Sequence, residues 1–132
     1  MAESIPESHR DIITGKNFAH VATLMPNGSP QVTPVWIDID GETILFNTSL
    51  GRQKDRNLDR DGRVALSIHD QGNPYRYIQI RGVVESKSTD GADEHIDKMA
   101  KKYMDQDKYP FRSAADTRVI YRIRPEHVQT NG

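Results

Sequence analysis

The feature that most constrains this chain is a pair of tight turns set between short runs of strand-forming residues. Phe18-Ala19-His20-Val21-Ala22-Thr23-Leu24-Met25 has strand composition and runs into Pro26-Asn27-Gly28-Ser29. An Asn-Gly pair accepts positive φ and joins antiparallel neighbours without a crossover. Gln31 to Ile39 reads as the return strand, Asp40-Gly41 as a second tight turn and Thr43 to Thr48 as a third strand. Together they predict a three-stranded antiparallel meander. Pro34 cannot donate to a ladder, so its strand is expected at a sheet edge or bulged at that position.

The rest of the chain continues the pattern. Arg63 to His69 predicts a fourth strand, Asp70 to Pro74 a loop, and Tyr75 to Ser86 a long fifth strand. Gly82 interrupts that strand, as a barrel bend or a close approach of another backbone would require. Val119 to Arg124 predicts the last strand, with Pro125 ending it. A first helix is expected from Ser4 to Ile13, capped by Ser4 and closed by Gly15. A second follows a cap at Thr89 or Asp90, with Ile96, Met99, Ala100 and Tyr103 forming one apolar stripe for packing. The polar loop from Asp105 to Ala115 carries Tyr109-Pro110-Phe111 as an anchor. Six strands joined mostly by short turns predict a mainly β fold, an antiparallel barrel with short helices. The 132 residues fit one domain spanning the whole chain.

Composition excludes several chemistries. There is no cysteine, hence no disulfide, thiolate nucleophile or Cys-ligated zinc. His9, His20, His69, His95 and His127 show no metal-ligand spacing, and no metal site is expected. Neither a G-x-S-x-G elbow nor a glycine-rich phosphate loop is present. The net charge of −1 gives no basic field for nucleic acid, and the interleaved aromatic and basic residues of Tyr75-Arg76-Tyr77 make only a weak stacking cluster. No stretch approaches the roughly 18 apolar residues of a membrane span. The first residues carry no apolar run like that of a signal peptide, so a soluble cytoplasmic protein is expected. The 35% apolar content predicts a thin core that burial against a second subunit would help. Nothing suggests an acid–base or nucleophilic machine, and no catalytic residue is assigned. Such a chain suits a cofactor that does its own chemistry.

The stretch Asn47-Thr48-Ser49-Leu50-Gly51-Arg52-Gln53-Lys54-Asp55-Arg56-Asn57-Leu58 is the one candidate binding element. A strand ends there, turns at Gly51 and enters a short helical segment whose beginning holds Arg52, Lys54 and Arg56. Cations at a helix N-terminus oppose the macrodipole, and a bound anion would reverse that penalty. A solvated turn balanced by Asp55, Asp59 and Asp61 would fit the same spacing. Trp36, beside Pro34, is a core or interface residue or the wall of a site for a flat aromatic ligand.

Four ordered motifs resemble the split β-barrel flavin-binding proteins of the pyridoxamine 5′-phosphate oxidase type. They are Asn27-Gly28-x-Pro30-x-Val32-Thr33-Pro34-Val35-Trp36, Thr48-x-x-Gly51-Arg52-x-Lys54-x-x-Asn57-Leu58, Arg63-Val64-Ala65-Leu66 and Ile80-x-Gly82-x-Val84-Glu85. They are most similar to the small actinobacterial branch that uses the deazaflavin coenzyme F-420. The resemblance implies a six-stranded split barrel and a homodimer with cofactor sites at the subunit interface. It implies that Arg52 and Lys54 hold the cofactor phosphate, that Asn57 supports their turn, and that Asn47 and Thr48 contact the phosphate or ribityl chain. Thr33, Pro34, Val35 and Trp36 would line the ring, and Tyr77, Gln79 and Arg81 would reach the partner's site. Vitamin-branch oxidases carry an arginine near position 33 and an arginine-rich C-terminal motif, whereas this chain has Thr33 and ends at His127-Val128-Gln129-Thr130-Asn131-Gly132. The expectation is an F-420-dependent oxidoreductase that passes hydride to a small unsaturated substrate. The alternatives are an FMN-binding oxidoreductase and a protein that binds F-420 or flavin without turnover.

Overall fold

Two residues, Trp36 and Ile37, decide the shape of the sheet. The computed structural model describes residues 2–132; Met1, which begins the N-terminal stretch read above, lies outside them. Its strands are β1 (Ala19–Leu24), β2 (Pro30–Val35), β3 (Asp38–Asp40), β4 (Thr43–Ser49), β5 (Arg63–Asp70), β6 (Asn73–Ser88) and β7 (Arg118–Asn131). They form one sheet in the order β2-β1-β5-β6-β7-β4-β3 with every neighbouring pair antiparallel. The edges, β2 and β3, are consecutive in the chain with only Trp36 and Ile37 between them. Three Cα steps span at most about 11 Å. A flat sheet of seven strands would hold its edges about 29 Å apart at normal spacing. The sheet therefore curls until the end of β2 lies near the start of β3, and a mainly β barrel with unpaired edges results.

The single return strand expected from Gln31 to Ile39 is thus two strands on opposite edges. The three-stranded meander is replaced by two hairpins, β1–β2 and β3–β4, and the count rises from six to seven. The reason lies in the peptide bonds of Ile37, whose side chain is fully buried. Its N–H donates to Tyr103 Oη at 3.0 Å and its C=O accepts from Lys102 Nζ at 2.8 Å, so side chains replace a ladder there. Pro34 lies on the edge strand, paired with His20 in an unbroken register, so it marks an edge without a bulge.

Pro125 does not end the last strand. The β6–β7 register shifts between Arg81 and Gly82, pairing Gly82 with Pro125 and Arg81 with His127. Glu126 is the extra residue, and a bulge accommodates a proline that a regular ladder would not. Gly82 is required at this crossing, since a Cβ there would stand 2.2 Å from the Arg124 carbonyl oxygen.

The helices are α1 (Arg10–Thr14), α2 (Gln53–Arg60) and α3 (Ala92–Met104). The N-terminal helix is shorter than expected. Ser4 caps nothing, and a 3₁₀ turn at Glu7–His9 precedes α1, which closes at Gly15 as read. Upstream, Ile5 is buried and its N–H donates to Glu42 Oε2 at 2.7 Å, which holds the chain against the barrel instead of in a helix. The cap of α3 is Gly91 at φ 75°, and neither Thr89 nor Asp90 takes that role. Buried Ile96, Met99 and Ala100 turn one stripe of α3 inward as their spacing predicts.

Inside, Ile44, Phe46, Leu66, Ile68, Ile80 and Ile123 belong to one continuous core, with Phe46 stacked on its cross-strand neighbour Tyr121 at 5.4 Å. The accessible area, 7231 Å² at 15.0 kDa, matches the roughly 7,000 Å² of a compact monomer of that mass. No helix among the described residues is long and apolar enough to cross a membrane. The Gly82 crossing yields a direct test. Gly82→Ala should lower the unfolding free energy by about 3 kcal/mol, read from urea midpoints, because two backbones have to separate to admit one methyl group.

Candidate functional site

The turn after β4 decides where the charges go. Gly51 takes φ 89°, and the chain then enters α2 with Arg52 as its N-cap. Asp55, on the first turn of α2, is 4% exposed and accepts the Gly51 N–H at 2.8 Å. The same carboxylate accepts the Tyr121 hydroxyl and pairs with Lys87 Nζ at 2.8 Å. Burial alone would raise the pKa of Asp55, yet the Lys87 and Tyr121 bonds and the Gly51 N–H outweigh it and hold the group ionised. Lys87 also takes Asp59, and Arg63 takes Asp61. Each acid that a solvated turn would use to balance Arg52 and Lys54 is thus engaged elsewhere. Arg52 and Lys54 have no carboxylate partner among the described residues.

Those two cations line a cavity of about 250 Å³ together with Pro34, Val35 and Trp36 from β2 and the crossover, Asn47 and Thr48 from β4, and Arg118 from β7. Phe18, Ile96, Tyr109 and Phe111 complete it. Arg118 is 9% exposed; its Nε donates to Asn47 Oδ1 at 2.8 Å and its Nη1 to Ser49 Oγ at 2.9 Å. The Tyr109 ring lies 5.2 Å from its guanidinium. Burial, with Arg52 and Arg118 nearby, pushes the Lys54 pKa down. Burial likewise lowers that of Arg118, with Arg52 adding to it against the opposing pull of Tyr109, Asp116 and Asp93. Three mutually repelling cations stay together, and the buried Thr48 hydroxyl beside them has no hydrogen-bond partner. Each of these features suits an anion.

The other side of the cavity is aromatic. Trp36 stacks on Tyr103 at 5.2 Å with the rings 6° from parallel, and Tyr109 meets Trp36 edge-on at 5.9 Å. Tyr103 is held from behind by its bond to the Asn17 carbonyl at 2.7 Å, and burial raises its pKa to about 12. A flat apolar group carrying an anionic arm fits this division between charge and ring surface.

A buried polar chain backs the charged end. Asn47 Nδ2 donates to the Ala92 carbonyl at 2.9 Å and lies 3.2 Å from His95 Nδ1, while His95 Nε2 lies 3.1 Å from Asp38 Oδ2. Lys98 Nζ and the Ile39 N–H also reach Asp38. Burial opposes the charge of Asp38, but His95, the Ile39 N–H and Lys98 together bring its pKa down to about 2.

Of the residues singled out from sequence, Pro34, Val35, Trp36, Asn47, Thr48, Arg52 and Lys54 come together in the cavity. Thr33 and Asn57 do not line it. Thr33 sits on β2 opposite Val21, with its hydroxyl unpartnered. Asn57 is fully buried and ties α2 to β1, donating to Thr23 Oγ1 at 3.0 Å and accepting from Gln53 and Arg60. Tyr77, Gln79 and Arg81 lie on β6 away from this cavity. Arg118 and Phe18 were missed. Arg118 reaches the site through the β4–β7 pairing, where it stands opposite Ser49, a long-range register that no local pattern reveals. Tyr109 and Phe111 did leave a signal as aromatics in a polar loop. Among the described residues no group of three His, Asp or Glu side chains is arranged to hold a metal.

A family model for pyridoxamine 5′-phosphate oxidases matches residues 5–132. Pyridoxine/pyridoxamine 5′-phosphate oxidases from two strains of Cereibacter sphaeroides are each 30% identical over 96 residues, 72% of this chain and 46% of theirs. The chain therefore spans about half the length of the curated relatives it matches. Among solved structures, an F-420 reductase is 35% identical with a TM-score of 0.83, the match covering 95% of this chain and 98% of that one. HupZ of Group A Streptococcus superimposes with a TM-score of 0.70 at 22% identity, over 96% of this chain and 93% of its own, a likeness of fold alone.

Asp38 gives the site a measurable signature in acid. Its carboxyl is 13% exposed and its pKa falls from 3.8 to about 2 on folding. A depressed carboxylate contributes stability that is present above its unfolded pKa and lost as pH drops through its folded one. Asp38 should therefore contribute about 2 kcal/mol near neutrality, lost between about pH 4 and pH 2. Urea unfolding across that range should show a shallower acid loss for Asp38→Asn than for the unsubstituted chain.

Proposed function

The chain belongs to the pyridoxamine 5′-phosphate oxidase family, and on that footing we propose that it is an oxidoreductase using the deazaflavin coenzyme F-420. One observation carries the reading. Arg52, Lys54 and Arg118 converge without a carboxylate partner, with the unpartnered Thr48 hydroxyl, in a cavity that the Trp36 surface also lines. The F-420 reductase at 35% identity over nearly the full length of both chains supports the deazaflavin over other cofactors.

In this reading the three cations and Thr48 hold the phosphate of the cofactor's side arm, and Asn47 fixes the Arg118 guanidinium from behind. Trp36, buttressed by Tyr103, offers the ring a flat apolar face, and Pro34 and Val35 extend it. When bound, the deazaflavin supplies hydride chemistry. The chain's part is to bind, orient and exclude water, with no side chain assigned to proton transfer. Phe18 and Phe111 line the cavity yet are 50% and 65% exposed, an apolar rim that suits cover by a second copy of the chain. We therefore propose a homodimer with its cofactor sites at the interface.

A second reading is an FMN-dependent oxidoreductase, in line with relatives named pyridoxine/pyridoxamine 5′-phosphate oxidases. Titration with each cofactor separates the two, and FMN binding more tightly than F-420 would overturn the first. In the F-420 reading the substrate is a small unsaturated organic molecule, and a cofactor bound without any turnover would mark a binding protein. Arg52→Ala combined with Lys54→Ala should weaken F-420 binding by about a hundredfold, since charge-assisted bonds are lost on two sides of the phosphate. Unchanged affinity would remove the phosphate assignment. Sedimentation of the full chain should give a dimer that Phe111→Asp shifts toward monomer.

A further inference from the structure

The orientation of the Asn47 amide fixes the protonation of its buried neighbour. On one side stands the Ala92 carbonyl, which only accepts, 2.9 Å from Nδ2. On the other stands the Arg118 Nε–H, which only donates, 2.8 Å from Oδ1. Both polarities are beyond choice, so the amide NH₂ faces His95 Nδ1 at 3.2 Å and that nitrogen accepts. His95 is then the neutral tautomer with its proton on Nε2, donated to Asp38 at 3.1 Å. A line of fixed polarity runs from Asp38 through His95 and Asn47 to Arg118 at the cavity.

We propose that His95 is a positioning residue that aims Arg118 into the anion site through Asn47, and that protonation of His95 releases Arg118 and weakens anion binding. The inference rests on the anion site proposed above. A proton on Nδ1 would set donor against donor across the 3.2 Å contact. Turning the amide over would satisfy the imidazolium but would place its NH₂ against the Arg118 Nε–H and its oxygen against the Ala92 carbonyl. No arrangement keeps all four groups paired once His95 is charged.

The charged and titratable groups around His95 pull in both directions. Asp38 on β3 favours the imidazolium, while Lys98, one turn along α3 and bonded to Asp38 at 3.3 Å, opposes it. Lys102, the next turn on, also lies within the field of Asp38. From β7, Arg118 opposes the charge across Asn47, and from the loop after α3 Tyr109 sits over Arg118.

The sign of the pH dependence separates this role from plain electrostatics. An anion drawn only by the nearby charge would bind tighter as His95 gained a proton. Through Arg118 it binds more weakly. Sulfate keeps its charge over the range needed and serves as the probe for the full chain. Its affinity should fall about fivefold or more on acidification, as the imidazole gains its second proton. The fall should follow the titration of His95 observed by ¹⁵N NMR, where Nδ1 at neutral pH carries the signature of an unprotonated acceptor. His95→Gln, which cannot charge, should bind sulfate with no such fall. Tighter binding in acid, a protonated Nδ1 at neutral pH, or a fall unrelated to the His95 titration would each overturn the proposal; the last two are read on the unsubstituted chain even where the variant does not fold. Absence of sulfate and F-420 binding at every pH would instead remove the anion site itself.

Discussion

The structure depends on a covalent constraint, the two-residue link that joins opposite edges of one sheet. Once Trp36 and Ile37 bridge β2 and β3, the seven strands have to curl, and the crossover peptides lose their ladder partners. Those peptides are served by Tyr103 and Lys102 from the last turns of α3. Burial holds the Lys102 pKa down at about 8, and its ammonium also reaches the Ile13 carbonyl at 2.8 Å. A curled barrel, a docked helix and a Trp at the cavity thus follow from one short link. The cavity sits where they meet.

The charge arrangement follows a similar logic. α2 mixes ions of both signs, with Lys54, Arg56 and Arg60 set among Asp55 and Asp59. The fold sorts them: Asp55 turns toward Lys87 and Tyr121 at the barrel wall, whereas Arg52 and Lys54 stay on the cavity side. Gly51 makes this possible, because its positive φ turns the chain so that Asp55 folds back on its N–H. A helix start that looks unfavourable by its dipole is locally neutral on one face and strongly cationic on the other.

Much of this was legible in the residues. Asn27-Gly28 and Asp40-Gly41 do form turns, with both glycines at positive φ, and Pro34 does lie on an edge. Gly82 does mark a close backbone approach. What local pattern could not carry was long-range pairing. Nothing in Val35-Trp36-Ile37-Asp38 distinguishes one continuous strand from two on opposite edges, since the choice rests on Tyr103 and Lys102 far along the chain. Pro125 looked like a strand end because a bulge that absorbs it is set by the partner strand. Arg118 was invisible for the same reason, its role being fixed by the register between β4 and β7. Asn57, singled out near the site, is instead the pin between α2 and β1.

The outer margin of β2 carries its own consequence. Pro30 and Pro34 pair with Leu24 and His20, so their nitrogens, which carry no hydrogen, are turned away from β1. Val32, midway between them, shares that outward orientation and is 61% exposed. The free margin therefore offers one backbone donor where a regular strand would offer three. An incoming strand would lose two of three donors there, which disfavours sheet growth across this margin. The two prolines thus leave the β2 margin poorly suited to strand-on-strand pairing.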